Sequence, residues 1–414
     1  MCRQIPSAYH EDRGASPIST CGQAVRCRSA AARSESCRGS CGADTVCSGT
    51  VLAKAAVLSL QSLAVVEGYL CIAVQLCCTY IIVHRKPVFN RFLLFPAAKR
   101  KKWPANTFFS FFCEVRMGTF QKQIVFEGAA TALVTPFCEG KVDYDTFGRL
   151  IDWQIAGGID ALVIAGTTGE GSTLTDEEHR EVLRYSVERT AGRVPIIAGT
   201  GSNDTDYAVS LSRYACEVGC DALLLVSPYY NKATPKGLVK SFLAVADATD
   251  KPIILYNVPS RTGVNIPLSV YAELAKHERI VATKEASGNL SAIAEIRAEL
   301  ADSLAVYSGN DDQIVPIMSL GGSGVISVLS NILPKETHDM CRFCLDGDFK
   351  SGADLQLRLL KLINSLFIEV NPIPVKTACG MMGLCSEEMR LPLCEMEDAH
   401  RAVLADAMKQ VGLL

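Results

Sequence analysis

The chain has 414 residues, 49% hydrophobic and 21% charged, with a formal net charge of −3. That length suits two or three domains, or one barrel with an appendage, and the small net charge argues against nucleic acid as a partner of the whole chain. The balance conceals two compositions: residues 1–116 carry 15 Lys and Arg against 6 Asp and Glu, residues 117–414 carry 26 against 38, and 10 of the 18 cysteines fall in the first stretch.

The first 50 residues are rich in Arg, Ser, Gly and Cys without apolar periodicity, so no packed core is expected there. Residues 55–83 are apolar enough to be weighed as a membrane anchor, although Glu67 interrupts the run. Lys99-Arg100-Lys101-Lys102 reads as a solvated charge run before it reads as an acidic-lipid or nucleic-acid patch. Met117 opens a self-sufficient domain, so residues 1–116 read as a poorly structured extension and as an over-long gene prediction, with an Arg- and Ser-rich transit peptide as the next reading. The cysteine spacings match no paired zinc motif, and Cys341-Arg342-Phe343-Cys344 reads as helical core. No metal site or cofactor is expected.

From Gly128 onward, eight short apolar runs recur, each followed by a helical pattern: Ala129–Thr135, Asp160–Gly166, Val194–Thr200, Asp221–Ser227, Pro252–Val258, Ile280–Lys284, Leu304–Ser308 and Gly324–Val328. Continuously apolar strands are covered on both faces, and eight βα units close a (β/α)8 barrel of the TIM type over residues 117–330. Thr175-Asp176-Glu177-Glu178 is a capping box, and Pro235 and Pro267 open further helices. Residues 331–414 are expected to add a C-terminal helical appendage.

Chemistry in such a barrel gathers at the C-terminal ends of the strands. Lys284 ends an apolar run there, and burial of an ammonium lowers its pKa, so the residue reads as a nucleophilic amine; a snorkelling edge lysine is the alternative. Thr167 and Thr168, between Gly166 and Gly169, present hydroxyls and amides as a carboxylate cradle, or cap an ordinary turn. Tyr256 reads as a packed ring at a strand end or as a phenol that relays a proton above Lys284, and Arg261, in the loop after Pro259, as an ordinary surface arginine or as the holder of a second carboxylate. Gly321-Gly322-Ser323-Gly324 precedes its strand and is read as a tight turn.

Gly166-Thr167-Thr168-Gly169-Glu170, Tyr256-Asn257-Val258-Pro259-Ser260-Arg261-Thr262-Gly263, Lys284-Glu285-Ala286-Ser287 and Gly324-Val325-Ile326-Ser327-Val328 together resemble the 4-hydroxy-tetrahydrodipicolinate synthases, also called dihydrodipicolinate synthases, of the pyruvate-dependent Schiff-base barrels. The resemblance runs from about Met117 to Leu414. It implies a lyase that condenses pyruvate with L-aspartate 4-semialdehyde in the cytoplasm, at the head of diaminopimelate and lysine biosynthesis. Lys284 is the implied Schiff-base amine and Tyr256 the proton donor and acceptor, with Thr167 and Tyr230 as relay partners. Thr168 and the Ile326 backbone would hold pyruvate, and Arg261 the semialdehyde carboxylate. A homotetramer of tight dimers is implied, with Tyr230 offered to a neighbouring subunit. Asn203, Tyr229 and His179 are compatible with the family's lysine-feedback site, but Gly171, Asp176 and Tyr207 depart from it, which predicts weak or absent inhibition. N-acetylneuraminate lyase or a 2-keto-3-deoxy sugar-acid aldolase is the alternative enzyme, and a silent barrel tethered by residues 55–83 the alternative of another class.

Overall fold

A computed structural model describes residues 122–414; the cysteine-rich stretch, the apolar run 55–83 and the Lys99–Lys102 cluster lie outside the described residues. Eight parallel strands close a barrel in sequence order: β1 (Gly128–Ala132), β2 (Ala161–Ile164), β3 (Ile196–Gly199), β4 (Ala222–Val226), β5 (Ile253–Asn257), β6 (Ile280–Glu285), β7 (Ala305–Ser308) and β8 (Gly324–Ser327). Each apolar run recognised in the sequence is one of these strands. A small antiparallel ribbon, Phe137–Cys138 against Lys141–Val142, follows β1. It is too short to leave a periodic signal.

The helices are α1 (Tyr144–Ala156), α2 (Asp176–Thr190), α3 (Thr205–Glu217), α4 (Pro235–Ala248), α5 (Pro259–Thr262), α6 (Leu268–Leu274), α7 (Leu290–Leu300) and α8 (Ile314–Ser319). Beyond the last strand come α9 (Pro334–Leu345), α10 (Phe349–Ser365), α11 (Ile373–Met381) and α12 (Asp398–Gln410). Local chemistry sets their ends: Thr175 and Glu178 form the reciprocal capping box of α2, and Pro235 stands in the first turn of α4 behind the Thr234 cap. Cys341 and Cys344 are buried in α9, as core residues.

Strand side chains divide by alternation. Leu223, Leu225, Leu255 and Val306 point outward and pack with helix residues such as Val182, Leu183 and Phe242. Ala130, Ala161, Ala222, Leu224, Ile254, Ala282, Ala305 and Ile326 fill the interior, where small residues fit the narrow bore. Tyr307 stacks on Phe126 with ring centroids 4.3 Å apart and donates its hydroxyl to the Phe126 carbonyl at 2.7 Å, giving the interior an aromatic floor. Closure between β1 and β8 needs Gly324: its φ is +148°, and a Cβ there would come within 1.9 Å of the Gly128 carbonyl oxygen.

One irregularity positions the chemistry. Between β5 and β6 the register passes from Ile253 opposite Ile280 to Ile254 opposite Ala282, so β6 carries a bulge at its start. Since strand side chains alternate, one extra residue reverses which of them face inward. Beyond the bulge, Ala282 shares the interior with Ile254, and Lys284 stands opposite Tyr256.

The C-terminal helices reach back to the turn after β2. The Lys376 ammonium of α11 meets Glu170 Oε1 at 2.5 Å with both side chains wholly buried, and the Arg390 amide donates to Glu170 Oε2 at 3.2 Å. Arg390 also grips Glu178 through two bonds of 2.6 Å, and both cations lie over the Phe137 ring, at 4.1 and 4.4 Å. Removing one partner of a buried ion pair strands the other charge, so Lys376→Met is expected to destabilise the full chain by about 3–5 kcal/mol, and adding Glu170→Gln to recover part of that loss. Urea unfolding of the two variants checks this; a destabilisation below about 1 kcal/mol for Lys376→Met would contradict it.

Candidate active site

At the C-terminal mouth of the barrel a cavity of about 500 Å3 is lined by Thr167, Thr168, Tyr256, Arg261, Lys284 and Asn371, among others. Five of the seven residues selected from sequence therefore share one pocket. Ile326 is fully buried on β8, beside Ala130 of β1, within the same barrel interior. Tyr230 stands apart: it is 89% exposed, outside its own chain's pocket, with a left-handed φ of +69° that is costly for a bulky side chain.

Lys284 is 6% exposed, and its ammonium sits 4.4 Å from the centre of the Tyr256 ring. Gly309 lies against its stem, where a Cβ would come within 3.1 Å of Lys284 Cε. Burial pulls the amine down from 10.5 to about 8; Asp311 opposes the shift and Arg261 adds to it. The free-amine fraction at pH 7 then rises from about 0.03% to about a tenth. The amine is poised to attack a carbonyl.

Tyr256, 7% exposed, is held above the ordinary phenol range by burial, against the pull of the Arg261 guanidinium and the Thr167 hydroxyl beside it. It is a neutral acid next to an amine nucleophile, the pairing that proton transfer during imine formation requires. Asn257, the next residue, donates to both Glu285 oxygens at 3.1 and 3.2 Å, tying the ends of the strands that carry Tyr256 and Lys284. Glu285 also accepts from Tyr271 and Ser287 at 2.5 and 2.9 Å, and burial raises its pKa.

Three residues the sequence reading did not single out complete the site. Asn371 donates to Thr168 Oγ1 at 3.0 Å, while its carbonyl accepts from Arg261 Nη2 at 2.8 Å, so one residue beyond the barrel positions both proposed carboxylate holders. Asp311, 1% exposed, accepts from the Val328 and Leu329 amides at 3.1 and 2.9 Å, and its charge opposes the lowering of the Lys284 pKa. The Glu170 carboxylate anchors the threonine turn from below. Asp311 was within reach of the strand-end rule, since it follows β7. Asn371 lies some 200 residues from Thr168, and nothing in the local pattern joins them.

A neighbouring cavity of about 420 Å3 is lined by Gly171, His179, Tyr207 and Tyr229 and shares Thr167, Tyr256 and Arg261 with the first. His179 is buried and its Nε2 contacts the Gly199 carbonyl at 3.0 Å; burial lowers its pKa. Asp176, at the start of α2, is paired with Arg180 at 2.8 Å. Among the described residues no cluster of His, Cys, Asp and Glu could hold a metal ion, and no helix is long and apolar enough to cross a membrane.

Known proteins share this arrangement. The model of the dihydrodipicolinate synthetase family matches residues 125–411. A 4-hydroxy-tetrahydrodipicolinate synthase of Lachnoclostridium phytofermentans is 56% identical over 292 residues, spanning 70% of this chain and 99% of the relative. The crystal structure of dihydrodipicolinate synthase from Aquifex aeolicus superposes with a TM-score of 0.69 at 48% identity, over 70% of this chain and 99% of that one. The enzyme of Acinetobacter baumannii, solved in complex with pyruvate, gives a TM-score of 0.69 at 41% identity, over 70% and 99% of the two chains. With a family match across the whole barrel and its C-terminal helices, and relatives covered almost end to end, the chain belongs to the dihydrodipicolinate synthetase family.

Proposed function

We propose that this chain carries out its family's reaction, the condensation of pyruvate with L-aspartate 4-semialdehyde to 4-hydroxy-tetrahydrodipicolinate, through an imine on Lys284. The observation that carries the assignment is a buried amine, pulled down to about 8, beside a neutral buried phenol in a pocket with an arginine at its rim. The Lys284 amine adds to the keto carbon of pyruvate and water leaves, giving an imine; loss of a methyl proton gives an enamine. The enamine carbon attacks the aldehyde of the semialdehyde, and the substrate's amine then displaces Lys284 from the imine carbon, closing the ring and freeing the lysine.

Tyr256 gives and takes the protons of these steps, with Thr167 as its neighbour in the relay and Tyr230 supplied by a second subunit. An aromatic side chain 89% exposed in a strained backbone conformation supports such a role in trans, within a homotetramer of tight dimers. Thr168 and the Ile326 backbone hold the pyruvate carboxylate, and Arg261 the carboxylate of the semialdehyde. That arginine favours the synthase over a sugar-acid lyase. Eight cysteines among the described residues are free thiols, which supports a reducing cytoplasmic setting for this first step toward diaminopimelate and lysine. Feedback by lysine is weak or absent, because among the described residues that line the second cavity none is an acid, and Tyr207 is one of them.

Incubation with pyruvate and borohydride, followed by peptide mapping, is expected to place a reduced adduct on the Lys284 peptide and to lose it in Lys284→Ala. An adduct elsewhere, or none on folded protein, would overturn the mechanism. Arg261→Leu separates the two substrates: trapping with pyruvate persists, while kcat/KM for aspartate semialdehyde falls by about 100-fold, the worth of a bidentate charged contact. Equal loss for both substrates would contradict the assigned role of Arg261.

A further inference from the structure

Lys284 is flanked on β6 by two side chains that the proposed reaction does not use. Strand side chains alternate, so Thr283 and Glu285 point away from the bore, and both are buried. One residue of α6 reaches both: the Thr283 hydroxyl donates to the Tyr271 hydroxyl at 3.2 Å, and Tyr271 donates to Glu285 Oε1 at 2.5 Å. Glu285 also accepts from Ser287 at 2.9 Å and from Asn257 Nδ2 at 3.1 and 3.2 Å. Every one of these bonds arrives from a donor, the arrangement that suits an ionised carboxylate, whereas burial raises its pKa. Asn257 carries the connection onward. Its side-chain nitrogen has two protons, one for Glu285 and one for Asn265 Oδ1 at 2.8 Å, and its oxygen accepts from the Ile266 amide at 3.1 Å. Asn257 therefore grips the far end of the loop that starts at Val258, the next residue. Arg261 stands in that loop.

We propose that Glu285 is a positioning residue with two arms, one for each substrate. Through Tyr271 and Thr283 it fixes the rotation of β6, so that Lys284 enters the bore at a set angle. Through Asn257 and Asn265 it fixes the loop that presents Arg261. None of these groups touches the reacting atoms; they set where the amine and the guanidinium stand relative to each other. A carboxylate suits the task, because its two oxygens accept on all sides, whereas an amide in its place would turn an NH2 toward groups that are themselves donors. The Arg261 arm rests on the role proposed for that residue above, while the Lys284 arm does not.

The test compares three variants of the full chain by two readouts, the rate of pyruvate–borohydride trapping at Lys284 and KM for aspartate semialdehyde. Asn265→Ala removes an exposed acceptor at the end of the loop and leaves β6 untouched. It is expected to raise KM about fivefold, the worth of one neutral hydrogen bond, with trapping unchanged. Tyr271→Phe keeps the ring and loses only the hydroxyl; trapping is expected to slow about fivefold with KM unchanged. Glu285→Gln should move both readouts together. Parental values for folded Glu285→Gln would overturn the inference. So would equal changes in both readouts for the other two variants, which is what a general loosening of the fold produces. Where Arg261→Leu lowers kcat/KM for the semialdehyde and Asn265→Ala leaves KM unmoved, the loop arm fails and the role of Arg261 stands. Where neither variant has an effect, the role of Arg261 fails and takes the loop arm with it.

Discussion

The desolvation of one amine organises this molecule. Lys284 projects into a barrel interior that is closed below by the stacked rings of Tyr307 and Phe126 and lined by alanines and aliphatic side chains. In that setting a charged ammonium is disfavoured, and burial outweighs the attraction of Asp311. The fold serves this condition at several levels. Parallel strands covered on both faces make the interior apolar, small interior residues leave room for a lysine stem, and Gly309 keeps the space beside that stem open. The Asp311 charge opposes the effect of burial.

Around the amine, the polar residues are held by elements distant in sequence. Asn371 links Thr168 to Arg261, and Glu170 is gripped by Lys376 and by the Arg390 backbone, so the C-terminal helices form part of the site's support. A loop residue placed by one bond can drift; a turn fixed through a buried ion pair, a backbone amide and a side-chain amide is over-determined. The Asn257–Glu285 bridge does the same for the two strand ends that carry the phenol and the amine.

The sequence made the barrel legible because all eight strands are short runs of apolar residues bounded by turn and capping signals, and those local features survive in the tertiary structure. Lys284, Tyr256, Thr167, Thr168 and Arg261 were legible for a related reason, since each ends a strand or opens the loop after one. The bulge at the start of β6 was not, because Ile280, Val281 and Ala282 are all apolar and do not reveal a change of face. Yet that extra residue places Lys284 inside the barrel. Nor could local pattern join Asn371 to Thr168 or Lys376 to Glu170, contacts that only the folded chain creates. Tyr230 marks another boundary: its position outside the pocket follows from the turn after β4, and its proposed use depends on a second copy of the chain.

Burial lowers the Lys284 pKa far enough to leave a working fraction of free amine near neutral pH. This is tested most directly by following the rate of pyruvate–borohydride adduct formation at Lys284 against pH. Only the deprotonated amine attacks, so the rate should rise with pH and level off through a midpoint at about 8. A rate still rising toward the ordinary lysine value of 10.5 would show an ammonium that the fold leaves solvated, and would contradict this account.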